Sequence, residues 1–202
     1  NETAVAAADA LQSLFDDPAL FEPVVDDLID VSDTCPSDLD GIPAPAEWHS
    51  DDEIRAIIYT ADALARAVRE KPDIAVPHTD QLCRVALGEG NVPRHHLFTL
   101  GNAAAQDPSG VPVEELRREL TALLDRGHGN GYPSWAAGTL GRLGDPGALP
   151  ALREQMPEDS GGHGADVTRE AFSAAIDSLE RAKETDEDGG ASGDDGVEPE
   201  SS

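Results

Sequence analysis

Residues 132–152 (YPSWAAGTLGRLGDPGALPAL) constrain the fold of this chain more than any other stretch. They read as one helix with small residues on its packing face, a tight Gly144-Asp145-Pro146 turn and a second amphipathic helix. The apolar face of such a unit is too wide to be covered from within, so it calls for neighbours stacked on either side. That makes the chain an all-α scaffold rather than an enzyme built around a recognisable pocket.

Apolar residues recur at helical spacing along most of the rest. The clearest stripe is Ile54, Ile57, Ile58, Ala61, Leu64 and Val68. Ser50-Asp51-Asp52-Glu53 precedes it as a capping box, in which Ser50 and Glu53 satisfy each other's free amides. Other stripes are Leu20, Val24, Leu28; Val113, Leu116, Leu120, Leu123; and Val167, Ala171, Ile176, Leu179. No stretch alternates with period two. The helices pair around turns at Asp17-Pro18, Lys71-Pro72, Asp107-Pro108 and Asp145-Pro146. Aspartate suits the N-cap and proline the first helical position, so these dipeptides start second helices. In the third unit Pro112 is the better start, with Glu114 and Glu115 in the first turn. Arg55, Arg94 and Ser134 mark equivalent points, at intervals of 39 and 40 residues. A last helix over 166–183 has no partner after it and reads as a C-terminal cap.

The Ala-Ala…Leu-Gly-x-Leu-Gly-Asp-Pro-x-Ala-Leu run of residues 136–149 resembles a HEAT-type repeat. The resemblance is closest over 131–156, extends over 50–125 and is weakest over 1–31. It implies an α-solenoid of about four antiparallel helix pairs plus the capping helix. Residues 1–31 would be a degenerate first pair, 32–49 an acidic, proline-rich loop, 50–183 the repeats with their cap, and 184–202 a disordered acidic tail.

Charge sets the working environment. The chain carries 41 acidic and 14 basic residues for a net charge of −27, and only Lys71 and Lys183 are lysines. Such self-repulsion destabilises a compact state at low salt. At about 1 M salt the Debye length is about 3 Å, which screens most of it. The lysine-poor composition resembles that of haloarchaeal proteins and implies a cytoplasm of high salt. Residues 1–80 have a net charge of −15 and residues 158–202 of −11, whereas residues 81–157 have −1. A protein contact is one reason for an acidic surface to stop there, since interface cores shed charge but keep arginine. Self-burial within the stack is the other.

Chemistry-bearing constellations are scarce. Cys35 and Cys83 have neither zinc-ligand nor disulfide-framework spacing. There is no His-Glu-x-x-His, and the His-Glu pairs of iron-binding HEAT hydroxylases are missing. Gly127-His128-Gly129-Asn130-Gly131 lacks the lysine and hydroxyl of a phosphate loop and reads as a helix end and connection. No apolar run approaches the length of a membrane span. The chain does not begin with methionine, so a piece of a longer protein, such as a regulatory module, is a further expectation. Phe98 and Trp135, on first helices beside small residues, read as core between repeats.

The resemblance places the second helices on the concave binding face, which nominates Arg117, Arg118 and Arg153 as a protein-contact patch. Ion pairing with Glu114, Glu115 or Glu154 is the plainer use of these arginines. The expected function is a non-catalytic adaptor for a protein partner, with no cofactor, metal, membrane or nucleic acid, since two lysines and −27 charges lack the field to hold a phosphodiester chain. Repeats of this short type also occur in phycobilin lyases. That resemblance implies the alternative, a tetrapyrrole site with Arg94, His95 and His96 facing the propionates.

Overall fold

A computed structural model describes residues 23–33, 52–88, 94–125, 131–158 and 163–189. Among these residues all regular structure is helical, with no strand. The α-helices are α1 (Val25–Asp33), α2 (Asp52–Glu70), α3 (Thr79–Ala86), α4 (His95–Gln106), α5 (Val113–Ala122), α6 (Tyr132–Leu143), α7 (Leu149–Glu154) and α8 (His163–Gly189). Two 3-10 turns, Pro72–Ile74 and Val76–His78, lead into α3, and a third, Pro146–Ala148, leads into α7.

Periodicity explains which faces meet. In α2 the residues Ile57, Ala61, Leu64 and Val68 form one buried stripe, at the spacing of an amphipathic helix. α4 differs: every residue from His95 to Ala104 is buried, because apolar and small side chains surround its axis. Neighbours enclose it accordingly. α2 packs on α4, α4 on α6 and α6 on α8, so the even-numbered helices form a row. The odd-numbered helices lie alongside: α3 touches α1 and α4, α5 touches α4 and α6, and α7 touches α8.

Two glycines set the spacing of that row. A Cβ on Gly101 would collide with the Thr139 methyl of α6, and one on Gly141 would lie 2.8 Å from the Ala175 Cα of α8. Both belong to a recurring Thr-Leu-Gly, Thr99-Leu100-Gly101 and Thr139-Leu140-Gly141, so each of α4 and α6 makes its close approach through the same tripeptide. Thr60, Thr99 and Thr139 are all buried and stand at the intervals read for Arg55, Arg94 and Ser134. The Ser178 hydroxyl donates to the Gly141 carbonyl at 3.1 Å, fastening α8 to α6.

Turn chemistry follows the sequence at Gly144-Asp145-Pro146 and at Pro112. Asp145 caps the 3-10 turn Pro146–Ala148 by accepting the Gly147 amide at 2.9 Å, and Gly144 takes the left-handed conformation (φ 74°) that ends α6. Asp107, by contrast, closes α4 and accepts the Ser109 amide at 2.9 Å, while Pro112 precedes α5. The sequence places the capping helix at 166–183; α8 instead runs from His163 to Gly189, into the segment expected to be acidic tail. α1 likewise continues to Asp33, into the expected 32–49 loop. Polar side chains carry the helical pattern past the last apolar residue, where periodicity is silent. Asp17-Pro18, Cys35, Ser50, the Gly127–Asn130 segment and residues 190–202 lie outside the described residues.

Candidate binding surface

The three nominated arginines are engaged within the chain. Arg117 Nε lies 2.7 Å from Asp145 Oδ2, near enough to pair but poorly aligned for a hydrogen bond, and its Nη1 donates to the Gly147 carbonyl at 3.4 Å. Arg118 pairs with Glu115 at 3.2 Å and Glu119 at 3.4 Å. Arg153 reaches across to Glu180 of α8 at 2.5 Å. Arg117 and Arg118 line one open groove along α5, whereas Arg153 is drawn to a different neighbour.

His95 and His96 are enclosed rather than presented. His96 is fully buried, and neither ring nitrogen has a hydrogen-bond partner. Burial, reinforced by neighbouring His95, pushes its pKa down to about 3. Burial also lowers His95 to about 4, against the opposing pull of Asp62, whose Oδ1 lies 3.6 Å from His95 Nε2. Both are therefore neutral imidazoles at pH 7. Arg94, half-buried, stands at the start of α4. Cys83 is a half-buried thiol whose pKa is raised by burial and then by Asp80, the reverse of an activated nucleophile. Among the described residues no three acidic, histidine or cysteine side chains are grouped to hold a metal, and no helix is long and apolar enough to cross a membrane.

Sequence reasoning missed a different cluster, on the row of even-numbered helices. Phe98 is wholly buried, as expected for core, but Trp135 is only half-buried. The Trp135 indole touches the Phe98 ring (centroids 5.5 Å apart) and the His95 ring edge (6.2 Å). The guanidinium carbons of Arg66 and Arg69 lie 5.3 and 5.4 Å from its centroid, within cation–π range. Beside Trp135 opens a cleft of about 290 Å³ lined by Arg69, Asn102, Arg142 and Val167. Arg142 is exposed on α6 and donates to Asn102 Oδ1 at 2.7 Å; partial desolvation and then the nearby Arg69 charge lower its pKa, which Glu70 opposes. No family model, curated protein or solved structure matches this chain. The reading of the site therefore rests on its own chemistry: two neighbouring guanidinium groups against an aromatic wall favour an anionic group with an apolar neighbour. The signal was faint in sequence because Arg69, Trp135 and Arg142 come from two helices separated by more than sixty positions.

Proposed function

We propose that this protein is a non-catalytic scaffold of the HEAT type, an α-solenoid that holds a protein partner against one face in a cytoplasm of high salt. The glycine contacts support the reading: Gly101 against Thr139 brings α4 close to α6, and Gly141, forty positions on, brings α6 close to α8 at Ala175, as close stacking of like units would need. The tetrapyrrole alternative has less behind it, because His95 and His96 are buried and neutral and give a propionate no positive charge.

Affinity capture from a host lysate held at about 1 M salt tests the proposal, at a screening length of about 3 Å. Wild type runs beside a variant with Arg117, Arg118 and Arg153 all changed to Glu. A stoichiometric protein partner held by the wild type supports the scaffold; its loss from the folded variant assigns the odd-numbered helices as the contact face. Identical capture by both moves the contact elsewhere. A coloured eluate without protein would overturn the reading in favour of a pigment site.

A further inference from the structure

Gly138 is the glycine of α6 that packing within the chain does not require. Gly101 and Gly141 sit where a Cβ would strike the next helix, but a Cβ on Gly138 meets no atom within 4 Å. Glycine in a helix interior costs about 1 kcal/mol relative to alanine, so something else favours an open position here. In the forty-residue register that joins Asn102 to Arg142, Gly138 is the counterpart of Phe98. The Phe98 ring is buried beside Trp135 and fills the space between α4 and α6. One unit later no ring is supplied, and the α6–α8 seam stays open beside Gly138.

The opening is continuous and lined by three arginines. The cleft beside Trp135 shares Gly138, Arg142 and Ala171 with a second cleft of about 360 Å³ that follows α8 as far as Ser178 and Arg181. Val167, at its lip, is 51 % exposed and is the one large exposed hydrophobic side chain among the described residues. Val167 to Arg181 spans about 21 Å of helix at about 1.5 Å per residue, the reach of about six residues of extended chain. Arg69 and Arg142 flank one end and Arg181 the other; Glu70, bonded to Arg69 at 3.1 Å, opposes them, and Arg181 donates from Nε to the Asp177 carbonyl at 3.0 Å.

We infer that this groove binds an extended acidic peptide of a partner protein, with one aromatic side chain seated over Gly138 and carboxylates on Arg69, Arg142 and Arg181. The inference rests on the scaffold reading and names its contact face and partner chemistry. The aromatic anchor takes the place that Phe98 fills in the preceding unit. Guanidinium groups pair with carboxylates in a planar fork, which fixes the orientation of the bound group. A net charge of −27 does not exclude a short acidic segment, because screening confines its influence to the groove. A duplex would have to lie along the whole acidic surface.

Fluorescence anisotropy of the labelled peptide Glu-Asp-Phe-Glu-Asp against the full chain, at about 0.5 M salt, tests the inference. Gly138→Leu fills the groove without a backbone clash, so it should weaken binding about tenfold or more while melting no lower than wild type. Arg142→Gln and Arg69→Gln should each weaken binding about fivefold or more, and Arg84→Gln on α3 should leave it unchanged. Replacing the peptide's Phe by Ala should cost a similar factor. Equal binding to wild type and Gly138→Leu would overturn the proposal. So would an absence of saturable binding, or equal affinity for a Lys-Lys-Phe-Lys-Lys peptide or a DNA oligonucleotide. If the peptide fails but lysate capture still yields a partner, the scaffold reading survives with another contact face; failure of both removes both.

Discussion

Arg142 donates a 2.7 Å hydrogen bond to Asn102 Oδ1, joining side chains that stand forty positions apart and follow the same Thr-Leu-Gly in α4 and α6. Asn102 also donates from Nδ2 to the Phe98 carbonyl at 2.7 Å, so its amide is held at both ends. The pair ties α4 to α6 on the face that carries Trp135. A double-mutant cycle with Asn102→Ala and Arg142→Ala should show a coupling of about 1 kcal/mol, below the usual range for a charged donor because Arg142 is exposed to solvent. Strictly additive losses in denaturant melts would mean that the bond adds nothing to stability.

The three glycines of this face should respond to one substitution with opposite signs. Gly101→Ala and Gly141→Ala force the row apart against Thr139 and Ala175, and each should destabilise by about 1–3 kcal/mol. Gly138→Ala faces open space and should stabilise by about 0.5–1 kcal/mol through helix propensity. Thr139→Ser removes the methyl that blocks Gly101→Ala, so the double variant should recover part of the loss. Thermal melts of the four proteins decide this, and a uniform response would show that the seams are looser than described.

Acid should unfold the protein through its buried histidines. The unfolded chain protonates histidine near pH 6.5, whereas His95 and His96 resist protonation down to about 4 and about 3. Below about pH 6.5 the unfolded state therefore binds more protons, and stability falls as pH drops. With both groups contributing, the slope approaches about 2.7 kcal/mol per pH unit near pH 5 and levels off only below the folded values. His96→Leu should remove about half of that slope. Parallel stability curves for wild type and His96→Leu between about pH 6 and 4.5 would assign the acid sensitivity to other groups.

Asp145 serves two purposes in one turn, which separates its variants. It accepts the Gly147 amide and lies against Arg117. Asp145→Ala should cost about 1–2 kcal/mol, most of it from the lost cap. Asp145→Asn keeps the cap oxygen and loses the charge, so it should cost about 0.5 kcal/mol. Urea titrations that rank Asn as costly as Ala would make the ion pair the larger contribution.

The helices were legible because burial repeats with the helical period. The 57, 61, 64, 68 stripe of α2 and the Gly144-Asp145-Pro146 turn stand in the structure where the sequence places them. Helix ends were less legible: α8 outlasts its apolar pattern, and Asp107 has the residues of a cap but closes a helix instead. The site was least legible. A half-buried tryptophan and a fully buried phenylalanine read alike along a chain, and the groove is made by what Gly138 lacks. Arginines on exposed helical faces likewise read as contacts, although Arg117, Arg118 and Arg153 all have acidic neighbours within the chain.

Ten consecutive buried residues in α4 have a consequence for how the molecule opens. Helices α2, α3, α5 and α6 all rest on it, so its amides reach solvent only after neighbours on both sides have separated. Deuterium should therefore enter α1 and the far end of α8 first and the Leu97–Ala104 amides last, at the rate of global unfolding. The chain is tightest at its middle and progressively looser toward its ends.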